Sequence, residues 1–164
     1  MPEGNGWTLV SNLPYYITTD LLWKIYCHAG QFDKVIVMVQ KEVARKFIVN
    51  EQGKDYNALS VLLDYYSTAE LVCQVSRNDF IPRPNVDSAV ICFTMNKREN
   101  MIYDRRLTDL VEQAFGQRRK KLLTNLKELG VNADMLQKCG LPETARAEEL
   151  SAADYVRLYE VLYG

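Results

Sequence analysis

Five consecutive apolar residues, Val35-Ile36-Val37-Met38-Val39, restrict the folds open to this chain more than any other feature. The run has the length of a strand rather than a helix. With no polar alternation, it suits a strand covered on both faces, as in a parallel sheet flanked by helices. The segments around it continue an α/β alternation. Residues 7–11 read as a short strand, stopped at Asn12-Leu13-Pro14, where proline ends ladder pairing. Thr19 or Asp20 can cap a helix reaching about Ala29, with Leu21, Leu22, Ile25 and Tyr26 as its apolar side and Gly30 as a stop. The spacing of Val43, Phe47 and Ile48 predicts a helix over 42–49, followed by a polar loop over 50–54 and a second helix over 57–66. Strands are expected over 71–75 and 86–95. Between them Pro82 and Pro84, two residues apart, hold the 79–85 segment extended.

After Lys97 the texture turns wholly helical. Asp104 is a candidate N-cap, and Leu107, Leu110, Val111, Ala114 and Phe115 follow helical spacing. Gly116 interrupts the pattern. Leu122, Leu123, Leu126 and Leu129 resume it up to Gly130. A short helix is expected over 132–139, closed by Gly140 and Pro142. A last one starts at the capping box Ser151-x-x-Asp154 and carries Tyr155, Leu158, Tyr159 and Leu162 on its apolar side. The order β-α-β-α-α-β-β followed by helices argues for an α/β layer and then an all-α part. A doubly wound sheet carries its cofactor loop after its first strand. No Gly-rich strand–helix turn of that kind occurs here, so the first half of such a sheet is expected to lie outside this sequence.

The chain's 164 residues suffice for one ordinary domain or two small ones, and 48% hydrophobic with 25% charged residues is a soluble globular composition. No apolar run is long enough to span a membrane. Met1-Pro2-Glu3-Gly4-Asn5-Gly6 lacks the zones of a signal peptide, so a cytoplasmic protein is expected. Cys27, Cys73, Cys92 and Cys139 are far apart, which fits buried reduced thiols better than a metal site or disulfides; no metal is expected. The single histidine, His28, reads as a helix-end residue. The net charge of −1 hides an asymmetry: residues 98–121 carry +3 and residues 134–164 carry −3. A local basic stretch permits a nucleic-acid partner.

Asn12-Leu13-Pro14-Tyr15, placed after a strand, resembles the Asn/Asp-x-Pro-aromatic motif of methyltransferases that act on exocyclic amines. The chemistry accounts for each residue type. The N6 amine of adenine is a poor nucleophile because its lone pair is delocalised into the ring. Two acceptors on its two N–H groups favour a tetrahedral nitrogen and localise that pair. The Asn12 side-chain oxygen and the Leu13 carbonyl supply them, Pro14 stiffens the turn, and Tyr15 offers a face for stacking. No ionisable base is needed, since the proton leaves after the nitrogen has become cationic.

The motif has company. Gln40-Lys41-Glu42-Val43-Ala44, Phe80-x-Pro82-x-Pro84-x-Val86-x-Ser88, Ala114-Phe115-x-Gln117-Arg118-Arg119-Lys120 and Arg146-Ala147-Glu148 with Leu150-Ser151 follow in order. Together these segments resemble the family of small-subunit ribosomal RNA adenine N6,N6-dimethyltransferases over nearly the whole chain. The resemblance implies the C-terminal half of a Rossmann-like methyltransferase sheet over residues 1–100 and a small helical RNA-binding domain over 101–164. It implies dimethylation of two adjacent adenines in a 16S-type rRNA hairpin with S-adenosylmethionine as donor, and a role in maturation of the 30S subunit. Asn12, Leu13, Pro14, Tyr15 and Phe80 would form the catalytic site, with Phe80 on the second face of an extruded base. Asn12 would also lie beside the cofactor. Arg118, Arg119, Lys120 and Lys121, read as one helical turn, would meet phosphates, with Arg118 and Arg119 as the better anchors.

The family's Gly-x-Gly-x-Gly cofactor loop and its acidic ribose ligand lie upstream of the first motif and are not in this sequence, so the chain alone is expected to be inactive. A bared sheet edge is expected, and with it self-association. Two other readings stay open. The related methyltransferases of large-subunit rRNA share the first and third segments. A non-catalytic RNA-binding or ribosome-assembly module would keep the fold without the chemistry.

Overall fold

The computed structural model describes residues 6–49, 56–97, 101–102 and 104–164. The polar loop expected over 50–54 lies outside them, as does the junction at 98–100. The chain divides into two compact units, residues 1–50 with 66–99, and residues 51–65 with 100–164. The boundary expected from the sequence assigns 51–65 to the sheet part. The compact units instead group that stretch with the helical residues, and the leucines of its helix, Leu59, Leu62 and Leu63, are buried.

The first unit is built on four strands, β1 (Trp7–Asn12), β2 (Phe32–Gln40), β3 (Ser67–Val75) and β4 (Ser88–Met95). Their order is β1-β2-β4-β3. β1 runs parallel to β2, whereas β4 is antiparallel to both β2 and β3. Val35, Val37 and Val39 of β2 face Phe93, Ile91 and Ala89 of β4, and all six side chains are buried. On the opposite face Ile36, Met38 and Val90 are only half-buried. The continuous apolar run therefore lines one dry face and one partly covered face, not two equally buried ones as expected.

Two helices cover the dry face. The first, α1 (Thr18–Tyr26), buries Leu22, Ile25 and Tyr26. Its N-cap is Ile17, two residues before the earlier of the two expected caps, and it ends sooner, where the His28 ring bonds the Lys24 carbonyl at 2.9 Å. The second, α2 (Lys41–Val49), packs on β2, β3 and β4. The rings of Tyr26 and Phe47 meet Phe93 at 5.9 and 6.1 Å. Burial pushes the Tyr26 phenol well above its usual pKa, so it stays protonated while it shares a 2.6 Å hydrogen bond with Ser67.

β1 and β3 are the outer strands, and Val10 of β1 is 72% exposed. A bare edge was expected and β1 presents one among the described residues. Two of the four cysteines expected to be buried are not: Cys73, on the outer strand β3, and Cys27, beyond α1, are exposed, whereas Cys92 and Cys139 are buried.

The second unit holds α3 (Ala58–Tyr66) up to Tyr65, then α4 (Arg105–Ala114), α5 (Leu122–Asn125), α6 (Ala133–Lys138) and α7 (Ala152–Tyr163). Its caps at Asp104 and Ser151 are the ones the sequence announces, whereas Asn132, expected as the first residue of its helix, is the N-cap. Asp104 accepts from the Arg106 amide at 2.8 Å, Asn132 from Met135 at 3.0 Å, and Ser151 and Asp154 close a reciprocal capping box. Asp104 also accepts from the Tyr159 phenol at 2.7 Å, which ties the start of α4 to α7. The side-chain hydrogen bond from Arg106, then that from Tyr159, holds the Asp104 carboxyl well below the usual carboxylate range. None of the described helices is long and apolar enough to cross a membrane.

Phe93 fills the space between two helices and the centre of the sheet. Phe93→Ala is expected to lower stability by about 3–5 kcal/mol, from lost transfer energy and a residual cavity, read as a fall in the urea midpoint.

Candidate nucleobase and RNA site

The parallel ladder between β1 and β2 runs to Asn12, opposite Met38, and the Leu13 amide extends it by donating to the Met38 carbonyl at 3.2 Å. Asn12 and Leu13 therefore stand at the carboxyl end of the two parallel strands. That is the end at which open α/β sheets bind ligands, because the chain leaves the ladder there and its polar groups are no longer used up. Leu13 is anchored, its side chain 4% exposed. Asn12 is exposed. Neither the Asn12 carboxamide nor the Leu13 carbonyl has a hydrogen-bond partner among the described residues.

Pro14 (φ −59°, ψ 130°) turns the chain off the strand. Its carbonyl accepts from the Ile17 amide at 3.2 Å and from the Thr18 hydroxyl at 3.1 Å. These bonds wind Tyr15–Ile17 into one 3-10 turn that leads into α1. The two aromatic residues of that turn differ. Tyr16 is exposed, whereas Tyr15 is half-buried and its phenol lies 2.5 Å from the hydroxyl of Ser88.

Ser88 opens β4 and is the last residue of the proline-rich segment singled out in the sequence. Two motifs 73 residues apart thus meet through one hydrogen bond. Phe80, in the same segment, is half-buried with an extended backbone (φ −115°, ψ 145°). Its loop carries no ladder and contains a cis Ile81–Pro82 peptide. Both ends of the loop are held. The Asp87 carboxylate accepts from the Arg77 amide at 3.1 Å, and the Asn85 carbonyl accepts from the Arg77 guanidinium at 3.1 Å. The Lys41 amide donates to the Asp87 carbonyl at 3.0 Å. Tyr15 and Phe80 form no ring–ring contact among the described residues. The structure therefore brings Asn12, Leu13, Pro14 and Tyr15 together with the start of β4, and places Phe80 in the loop that precedes it. Beside that loop an open groove of about 490 Å³ is lined by Lys41, Arg45 and Arg77 together with Glu42 and Asp87.

The basic run of the second unit departs from the expectation of one helical turn. α4 ends at Ala114, and residues 115–120 form turns before α5. The Asn125 side-chain amide explains the stop. It donates to the Ala114 carbonyl at 2.6 Å and to the Gln117 carbonyl at 3.2 Å, satisfying groups that a continuing helix would have used. The four cations also behave unequally. All four are exposed, but Arg118 reaches back and donates to the Tyr56 carbonyl at 3.2 Å. Sequence reasoning could not separate them, since four adjacent cations carry no sign of which one turns inward. The role of Ser88 was equally hidden, because its partner is remote in the chain.

The sequence matches the ribosomal RNA adenine dimethylase family over residues 3–163. It is 40% identical over 169 residues to the ribosomal RNA small subunit methyltransferase A of Clostridioides difficile (strain 630), covering 98% of this chain and 58% of that protein. The protein of the same name from Clostridium botulinum (strain Kyoto / Type A2) is 34% identical over 161 residues, covering 94% of this chain and 58% of its own length. The chain thus spans little more than half the length of the curated relatives it matches. Among solved structures, a dimethyladenosine transferase from Plasmodium falciparum superposes with a TM-score of 0.74 at 22% identity, covering 96% of this chain and 66% of that one. The 23S rRNA methyltransferase ErmE superposes with a TM-score of 0.64 at 22% identity, covering 99% of this chain and 68% of that one. At that identity these two likenesses show a shared Rossmann-like fold.

The inward bond of Arg118 gives it a part in stability that its neighbours lack. Arg118→Ala is expected to lower the urea midpoint by the equivalent of about 1 kcal/mol, whereas Arg119→Ala leaves it within about 0.5 kcal/mol.

Proposed function

The chain belongs to the ribosomal RNA adenine dimethylase family, and from that premise we propose that it carries the target-base half of an S-adenosylmethionine-dependent enzyme that dimethylates N6 of two adjacent adenines in a small-subunit rRNA hairpin. The observation that carries this reading is the pair of free acceptors, Asn12 carboxamide and Leu13 carbonyl, standing at the carboxyl end of the parallel strands beside a tethered aromatic ring.

A target adenine leaves its stack and enters beside Tyr15, with Phe80 closing on the other face as its loop adjusts. The Asn12 side-chain oxygen accepts one N–H of the N6 amine and the Leu13 carbonyl accepts the other. Both bonds strengthen as the nitrogen loses conjugation and gains positive charge, so they favour the transition state over the ground state. The amine nitrogen held by these two acceptors would become cationic on accepting a methyl group and then release a proton to water. S-adenosylmethionine supplies the electrophilic methyl group, and the unpartnered Asn12 carboxamide at the strand end fits a position beside it. No titrating base has to be found among these residues. Dimethylation follows from a second passage, because an N6-methyl amine still carries one N–H and can rotate it toward either acceptor.

Arg119, Lys120 and Lys121 are exposed on a turn held by Asn125, and we assign them to phosphate contact. Arg118, which donates to the Tyr56 carbonyl, is given the smaller share of that role. Such contacts position the RNA without reading its sequence. The reading also places the protein in the cytoplasm with 30S particles, and it expects the open β1 edge to pair with another strand, in a second copy or in another segment. A strictly monomeric chain in sedimentation would count against that last point.

Three measurements test the reading. Immobilised chain is expected to retain 30S particles over 50S particles, and preference for 50S would favour the large-subunit enzyme instead. Replacing Arg119 and Lys120 by alanine is expected to lower the slope of log binding constant against log salt by about 1.4–1.8, since each phosphate contact contributes roughly 0.7–0.9. The 164-residue chain by itself is expected to transfer no label from S-adenosylmethionine to RNA; measurable transfer would overturn that expectation.

A further inference from the structure

Resting on the reading of Asn12–Tyr15 as the base-holding segment, we propose that Ser88 is a positioning residue, whose buried hydroxyl holds the Tyr15 ring where a nucleobase can stack on it and present its amine to Asn12 and Leu13. Ser88 is 0% exposed. It stands where three strand ends converge, opposite Gln40 of β2 and Val75 of β3. Its backbone is therefore fixed by ladders on both sides, and its side chain has a single rotatable bond to the hydroxyl. Such a hydroxyl is a fixed point of the sheet.

Tyr15 needs one. It sits on a lone 3-10 turn with no side-chain cap, and its side chain is half-buried, so packing alone leaves the ring freedom about χ1. The 2.5 Å bond to Ser88 pins the far end of the ring while the Pro14 turn pins the near end. Two fixed ends define the long axis of the ring, and hence the place of its faces relative to the Asn12 and Leu13 acceptors.

Stability does not by itself explain the pair. A buried hydroxyl is costly unless bonded, and the Tyr15 phenol is the one partner Ser88 has among the described residues. Alanine facing phenylalanine would fill the same place with no polar group to satisfy, and such double replacements are close to neutral. What the apolar pair lacks is direction: a hydrogen bond sets the ring at one distance and angle, whereas dispersion tolerates a slide.

The test uses the chain as it stands and a small-subunit rRNA hairpin with 2-aminopurine at the target position. That base lacks the N6 amine, so its fluorescence reports stacking without the Asn12 and Leu13 bonds. Bound to the unaltered chain, the probe is expected to be quenched. Ser88→Ala and Tyr15→Phe are each expected to weaken the quenching about threefold, the double variant no further than either alone, and Ser88→Thr to restore it. Affinity for the hairpin should stay within about twofold, because phosphate contacts dominate it. Full quenching with Ser88→Ala, or singles whose losses add in the double variant, would overturn the proposal. If Ser88→Ala does not fold, Tyr15→Phe, which keeps the ring and the serine, decides the same point. No quenching by the unaltered chain would instead sink the base-holding reading itself.

Discussion

The register between β2 and β4 is the constraint on which the first unit depends. Val35 opposite Phe93, Val37 opposite Ile91 and Val39 opposite Ala89 put six apolar side chains on one dry face. Because strand side chains alternate, a slip of one residue would turn that whole set to the other side. The same register puts Gln40 opposite Ser88 and so brings the start of β4 to the carboxyl end of β2. β1, parallel to β2, delivers Asn12 to that end. The packing that buries the core is thus also what brings Ser88 within reach of Tyr15.

The second unit shows a motif divided between structure and function. Arg146-Ala147-Glu148 reads as a signature, yet its visible work is architectural. Ala147 is buried and its carbonyl accepts the Tyr155 phenol at 3.0 Å, while Glu149 accepts the Arg146 amide at 2.9 Å. Tyr155 stacks on Phe115 at 6.2 Å, just ahead of the basic turn. Burial pushes the Tyr155 phenol above its usual pKa, so it is a donor at neutral pH. Arg118 and Asn125 complete the frame by holding the turn at Tyr56, Ala114 and Gln117. The exposed cations are presented on a scaffold of hydrogen bonds to backbone carbonyls, which holds the turn without an ion pair.

The chemistry assigned to the first unit suits a site poor in titrating groups. Two neutral acceptors activate an amine by geometry, and geometry is what a strand end, a proline turn and a buried serine provide. An acid–base pair would need shifted carboxylates or histidines in the cleft. The one histidine bonds the end of α1 instead.

The sequence by itself determined the order and type of the elements, the N-caps at Asp104 and Ser151, and the segments that carry the family resemblance, because periodicity, capping and turn chemistry act over a few residues. It also put forward Asn12, Leu13 and Tyr15 as the proposed base-holding residues, from the chemistry of their types. Tertiary structure decided the rest. It inserted β4 between β2 and β3, which left Cys73 on an edge and made the Val35–Val39 run one-sided. It turned Arg118 inward and ended α4 before the basic run, through an Asn125 amide eleven residues past Ala114. It joined Tyr15 to Ser88 across 73 residues. Each of these outcomes depends on which distant groups share a buried space, and burial is settled by the whole packing of the chain rather than by any local stretch of it.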